Sequence, residues 1–482
     1  MVLYNVVICL DRRRAMLFTA PAFAFLFLPL GLIFYMLFGK NNKRRCLLII
    51  CCVYHVLLNM SHPLNFIWLP LIAVYTFFAR KTAVICAKRV LTVILCAVPL
   101  IWLIMMRGMH YFGMDGFVYP VGMTVPALSA VSYIRDCSED GEAPADFFRL
   151  LLYLAFFPVM ILGPFVRYRD FCRLTEEENI TVSLSGVCEG VKLYAIGFIK
   201  RIAVGAVLIE GYQWIFAYSW EAPTFGIVLL LLILVYFGVF FSVAGYYDMG
   251  VGISRIFGID VPRVDANPFT VATFNEYSKT LFGSVRIWAE NYILVPVRDI
   301  RGKKETGFVR VAVYCMCIFL LVRSQFTMLI LIIPLIAFSI ASASLRLDKM
   351  RGKSNAGLRG VFGMLNILVL GVFWVFVTMG GDNSVLQYIS EVTVNNAEYQ
   401  ADMVLISFSG SKYLFVSLTA FCTVMPQMSS VKAVYSRMSP RMRAVADYGA
   451  MFVMLALFVF TAMFFLPQFP EYNTTPFNYL II

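Results

Sequence analysis

From Met16 to Phe38 the chain carries no charged residue, and apolar runs of this kind recur along its length. About 20 consecutive apolar residues cross the hydrocarbon core of a bilayer, because helix rise and core thickness then match. Backbone in that core must satisfy its own hydrogen bonds, which an unbroken run does as an α-helix. The runs therefore predict an all-α, polytopic integral membrane protein. Composition agrees: 14% of the residues are charged, against about 25% in soluble domains. The net charge of +12 does not point to nucleic acid. The basic residues form short clusters between apolar runs, as cytoplasmic loops do, so the expected surroundings are a lipid bilayer.

Taken in order, Met16–Phe38 reads as a span. Cys46–Leu58 and Phe66–Phe78 read as a short hairpin closed by Arg80-Lys81, and Val90–Met106 as a further crossing. Asp136 to Asp146 reads as a polar loop, and Phe147–Leu162 as one apolar run. Leu193–Phe198 meets the basic pair Lys200-Arg201, and Ile202–Phe216 and Ile227–Phe241 follow as spans. Downstream, Val309–Ile340, Val361–Val377, Tyr413–Val424 and Met451–Phe465 are apolar. In all, about eleven membrane-crossing or membrane-entering helices are expected. The expected organisation is a single membrane domain over 1–482. It has N-terminal helices at 16–110, a core at 111–345 with a re-entrant segment at 258–297, and C-terminal helices at 346–482. The basic clusters Arg298–Lys304, Arg346–Arg359 and Lys432–Arg443 are expected in the cytoplasm, and the Lys- and Arg-free loop around Gly380–Asp402 outside. The apolar run after Arg12–Arg14 is too long for a cleaved leader.

The stretch from Phe241 to Val297 departs from this pattern. It lies between apolar runs yet carries Asp248, Arg255, Asp265, Glu276, Lys279, Arg286 and Glu290. Intramembrane charges mark sites or paired structural groups. Asp248 reads as a carboxylate paired with Arg255 or Lys279, as a base, or as a structural ion. Glu276 and Lys279 are three apart and share a helix face. Arg323 interrupts an apolar run; it either binds an anion, for which its fork is suited, or reaches to the membrane edge. Arg167, Arg169 and Arg173 suit lipid headgroups or a phosphorylated donor. The twelve cysteines are scattered and only three histidines occur, His55, His62 and His110, so no metal site is expected.

Several segments resemble, in order, the bacterial membrane-bound O-acyltransferases of the alginate O-acetylation and D-alanyl transfer branch. They include Pro120–Thr124 with Ser132–Asp136, and Phe156-Phe157-Pro158 with Gly163–Phe171. Gly197–Arg201, Gly245–Gly252, Trp288–Pro296 and Pro476–Tyr479 complete the set. The resemblance implies a ring of helices around a thinned centre with a tunnel. It implies transfer of an acyl group, acetyl for instance, from an acyl-CoA or acyl-carrier donor to a hydroxyl of an extracytoplasmic polysaccharide or cell-envelope polymer. It further implies a bacterial cytoplasmic-membrane location, extracytoplasmic acyltransferase or polysaccharide-export partners, no bound cofactor, and Trp288 and Tyr292 beside the substrate. Where the family carries two histidines, this chain has Phe282 and, in the run Leu320–Gln325, Arg323. Neither side chain accepts a proton near neutral pH. Two readings follow: acyl transfer with Asp248 or Glu276 as base, or a non-catalytic homologue serving as scaffold, acyl-donor or lipid binder, or export partner.

Overall fold

In a computed structural model, the residues described are 17–39, 42–60, 63–86, 89–111, 122–140, 146–160, 166–219, 224–263, 273–296, 356–378, 411–425 and 429–465, with a few isolated positions between them. Every regular element among them is helical. Helices α1 (Phe23–Phe38), α2 (Lys43–Leu58), α3 (Trp68–Cys86) and α4 (Arg89–Tyr111) open the chain. Next come α5 (Thr124–Asp140), α6 (Phe147–Ala155) and α7 (Tyr168–Leu174). Of the longer elements, α8 (Leu184–Ile199) passes through a π-helical segment, Lys200–Ala206, into α9 (Val207–Tyr218), and α10 spans Phe225–Ile256. Short helices α11 (Phe274–Leu281) and α12 (Gly283–Ala289) follow, the latter continuing as a π turn at Glu290–Leu294. The described part closes with α13 (Ala356–Thr378), α14 (Ser411–Val424), α15 (Ser429–Arg437) and α16 (Pro440–Phe460).

Two described helices, Phe225–Ile256 and Pro440–Met463, are long and apolar enough on their own to cross a membrane. Phe23–Phe38, Val90–Met106 and Gly360–Val375 are shorter apolar helices. Along α1, Phe25, Leu26, Leu30, Ile33, Met36 and Leu37 are all exposed, and α4 and α16 expose similar rows. Apolar surface of this extent suits lipid and not water.

The interior is aromatic. Phe157 packs against Phe27, Tyr54 and Phe257 with ring centroids 5.8, 4.8 and 6.0 Å away. Reaching it requires a break in the expected run Phe147–Leu162. The helix stops at Phe156, which is extended at φ −61° and ψ 93°. Pro158 would otherwise clash with the carbonyl four residues back.

Four boundaries differ from expectation. The expected span Ile227–Phe241 is α10, Phe225–Ile256, which takes in Asp248 and Arg255. Arg80 lies within α3, buried, and donates to the Tyr133 hydroxyl at 3.0 Å. Asp136–Asp140 is the last turn of α5 instead of loop, closed by an Arg135–Glu139 pair at 2.7 Å. Lys200-Arg201 does not end a run: both are buried in the continuous α8–α9 rod.

That rod runs antiparallel to α10, and glycines set its distance. A Cβ on Gly190 would sit 2.7 Å from the Gly252 carbonyl oxygen, and one on Gly197 2.5 Å from that of Gly245. One on Gly205 would collide with Ser242. Gly190 and Gly197 are seven residues apart and share a helix face. Gly205 is eight further on and would sit about 80° off that face in α geometry. The wider π turn absorbs the extra residue and keeps the third glycine in line. Small residues that let backbones touch are how helices associate in lipid, where burying apolar area gives no drive.

The interface is directly testable. A Cβ on Gly245 meets backbone, the Gly197 oxygen at 2.6 Å and the Arg201 nitrogen at 2.9 Å, so no side chain can yield. Gly245→Ala is expected to lower stability by about 3 kcal/mol, read as thermal unfolding in detergent. Gly449→Ala, on α16 with nothing near its Cβ, should leave the unfolding temperature unchanged or slightly raised. Equal behaviour of the two variants would refute the close approach.

Candidate functional site

Beside the close approach of α8 and α10, the π segment buries Lys200 and Arg201 against α10. Lys200 Nζ donates to Asp248 Oδ2 at 2.6 Å, with side chains 1% and 5% exposed. Arg263, just past the end of α10, reaches Asp248 Oδ1 with its Nε at 3.5 Å. Both carboxylate oxygens are thus engaged. The expected partners are otherwise occupied: Arg255 pairs with Glu189 at 2.8 Å and Asp260 at 3.4 Å, and Lys279 is exposed on α11. Next to the pair, Arg201 contacts Ser242 Oγ at 3.5 Å and lies 5.4 Å from the Tyr246 ring centroid. A charge pair this deep is tolerated only when each member is held by the other.

Gly258, at φ +78°, turns the chain out of α10; the left-handed region suits glycine at this position. The chain returns at Thr273, whose hydroxyl caps α11 by accepting from the Glu276 N–H at 3.1 Å. Glu276 is half-buried in the first turn of α11. The helix breaks at Phe282 (φ −120°, ψ 29°) and restarts as α12. No described element between Thr273 and Leu294 is long enough to cross a bilayer.

Phe282 is 3% exposed and packs among aromatics. Trp374 of α13 stacks on it at 6.5 Å, and Tyr277 lies at 6.3 Å. Trp374 Nε1 donates to the Tyr277 hydroxyl at 2.9 Å. This position is therefore apolar and closed by rings. Arg323 lies outside the described residues.

The other end of the segment is anchored on α5. Trp288 Nε1 donates to Ser132 Oγ at 2.8 Å and to the Leu128 carbonyl at 3.1 Å. The Tyr292 hydroxyl donates to both oxygens of Asp136, each at 3.0 Å. Arg167 lies over the Tyr292 ring, 5.8 Å from its centroid. Arg169 donates to the Asp136 carbonyl at 3.4 Å and pairs loosely with Glu139 at 3.8 Å. Asp136 sits in the polar last turn of α5, beyond any apolar run. Burial pushes its carboxyl up from the usual carboxylate range, against the Tyr292 hydroxyl and the Arg167 and Arg169 charges, which hold it down.

Three sequence segments that look unrelated in the chain thus meet at one point: Ser132–Asp136, Arg167–Arg169 and Trp288–Tyr292. Sequence reasoning had placed Trp288, Tyr292, Arg167 and Arg169 in the site but gave no role to Asp136. It also missed a satellite cluster on the same segment. There Arg286 contacts Ser278 Oγ at 3.3 Å and Glu290 at 3.5 Å, and the Tyr314 hydroxyl bonds Glu290. The four-residue spacing of Arg286 and Glu290 was its available signal. Among the described residues no group of His, Cys, Asp and Glu is arranged to hold a metal.

The burial of Lys200 and Asp248 makes a quantitative expectation. Lys200→Met should cost about 3–5 kcal/mol, because it leaves a buried carboxylate short of its partner. Lys200→Met combined with Asp248→Leu should recover most of that loss, since both charges then go. Thermal unfolding of the four proteins of the cycle decides it; additive losses would show that the two side chains do not depend on each other.

No family model matches the chain. Known proteins do. A probable alginate O-acetylase of Pseudomonas fluorescens is 25% identical over 298 residues, covering 61% of this chain and 59% of that protein. The peptidoglycan O-acetyltransferase of Helicobacter pylori is 20% identical over 355 residues, 62% of this chain and 65% of its own length. The teichoic acid D-alanyltransferase of Bacillus subtilis is 30% identical over 155 residues, 30% of this chain and 37% of its own. The chain spans about three fifths of the length of the alginate O-acetylases it matches.

Proposed function

We propose that this chain, a relative of the membrane-bound O-acyltransferases, takes part in O-acylation of an extracytoplasmic polysaccharide or cell-envelope polymer. The observation that carries the reading is the convergence of Ser132–Asp136, Arg167–Arg169 and Trp288–Tyr292. These are segments on which the resemblance to that family rests, and they meet by side-chain hydrogen bonds. The relatives' names add the chemistry: acetyl transfer to alginate or peptidoglycan, and D-alanyl transfer to teichoic acid.

In this reading about eleven membrane-crossing or membrane-entering helices surround a thinned centre with a tunnel. The re-entrant segment expected at 258–297 lines that centre, with residues 273–294 at its inner part. The acyl donor, a CoA or carrier thioester, reaches it from the cytoplasmic side, where Arg167 and Arg169 attract phosphate. The acceptor hydroxyl oxygen bonds to the acyl carbonyl carbon, the donor's bond to that carbon breaks, and the hydroxyl proton passes through a base to the leaving group. Asp248, with both oxygens engaged, holds α8 to α10. Glu276, half-buried at the start of α11, is the carboxylate assigned to accept the proton. Extracytoplasmic acyltransferase or polysaccharide-export proteins are the expected partners, and the bacterial cytoplasmic membrane the expected location.

A second reading is favoured by Phe282. Its aromatic packing leaves no proton acceptor where the resemblance implies a histidine. On that reading the chain is a non-catalytic scaffold or donor-binding member of an acylation system.

Reconstitution in liposomes with an acyl-CoA or acyl-carrier donor separates the two. Transfer to a polymer acceptor, reduced at least 100-fold by Glu276→Gln with unfolding temperature unchanged, supports the catalytic reading. Absence of transfer by the purified protein, with loss of polymer acyl groups in a deletion strain, supports the scaffold. Unchanged polymer acylation in that strain, together with no transfer in vitro, overturns both.

A further inference from the structure

At the end of α2 remote from Lys43, three uncharged polar side chains are buried together. His55 and Asn59 are one turn apart and leave the same helix face. Trp68, the first residue of α3, meets His55 edge to face, with ring centroids 5.0 Å apart and planes at 78°. Each of the three is 4% exposed. Among the described residues, neither ring nitrogen of His55 has a hydrogen-bond partner, nor do Asn59 Oδ1 and Trp68 Nε1. The Asn59 amide nitrogen gives one of its two N–H groups to the His55 carbonyl, at 3.2 Å.

Buried polar atoms are almost always satisfied, by protein or by a bound molecule. Four open positions on three neighbouring side chains call for such a molecule, and their chemistry restricts it. A neutral imidazole offers one N–H and one lone pair, indole N–H only donates, and an amide oxygen only accepts. With the second amide N–H of Asn59, the set is three donors and two acceptors. A cation would face three N–H groups and an anion would face two lone pairs, so a charged ligand does not fit. Two hydroxyl groups do fit: each donates to one acceptor, and their lone pairs accept the N–H groups.

We propose that His55, Asn59 and Trp68 form a buried binding site for a pair of hydroxyl groups, supplied either by two water molecules or by a vicinal diol. The site does not involve residues 273–294 and does not rest on acyl transfer. It gives the chain an uncharged, hydrogen-bonding site at an end of α2, where ordered water or a polyol headgroup fragment can be held.

With three histidines in the chain, the test is a small spectrum. Full-length protein labelled with ¹⁵N-histidine in lipid nanodiscs gives few imidazole signals, and His55→Phe identifies the pair belonging to this residue. The expected result is a neutral imidazole with both nitrogens hydrogen-bonded and a magnetisation-transfer peak to a hydroxyl proton. Glycerol, used as the diol probe, distinguishes the sources. If a diol enters, the His55 signals shift and the water peak is lost; if only water is held, both stay. Either result supports the hydroxyl site. Trp68→Phe should move the signals in the manner of a lost donor, and if His55→Phe does not fold, that shift makes the assignment. An imidazolium at neutral pH, or a neutral ring with no water contact and no response to glycerol, would overturn the proposal.

Discussion

The contact between Lys200 and Asp248 is the interaction on which the rest of the structure depends. Each is a charge deep in an apolar body, and alone neither would be tolerated. They meet because glycines on both helices let α8 and α10 touch backbone to backbone, and because a π turn keeps those glycines in line. The pair in turn holds Arg263, so the exit from α10 is fixed. The chain leaving α10 is therefore tied back to the last third of that helix.

The far end of the segment 273–294 is fixed by a different device. Trp288 and Tyr292 each donate to a polar group on α5, and Arg167 closes over the Tyr292 ring. Between the two anchors the chain makes two short helices broken at Phe282. Glu276 lies between those anchors, half-buried in the first turn of α11. The site of Phe282 is finished by Trp374 and Tyr277, and the packing is that of a core.

Much of the architecture was legible in the sequence. Apolar run length marked helices such as α1, α4 and α13, whereas the charges Asp248 and Arg255 lie inside the apolar helix α10. The partners of those charges were not legible. Asp248 pairs with Lys200, 48 positions away in the chain, and that distance carries no local signal. Lys200-Arg201 looked like the edge of a membrane run because two cations together normally are; what turned them inward is the glycine spacing on both helices, a pattern with meaning only once the helices are paired. Asp136 looked like loop because it opens an acidic stretch, yet the Arg135–Glu139 pair extends the helix past it. The aromatic surroundings of Phe282 come from α13, about 90 residues later, and no periodicity within α11 or α12 announces them.

In the proposed function an acyl donor lies against the segment 273–294. Photo-crosslinking with a photoreactive acyl-CoA in native membranes, followed by peptide mapping, measures that most directly. Labelling concentrated within 273–294 and the facing turns of α10, and competed away by unmodified acyl-CoA, is the expected result. Labelling spread over the lipid-exposed faces of α1, α4 and α16, with none in 273–294, would contradict it.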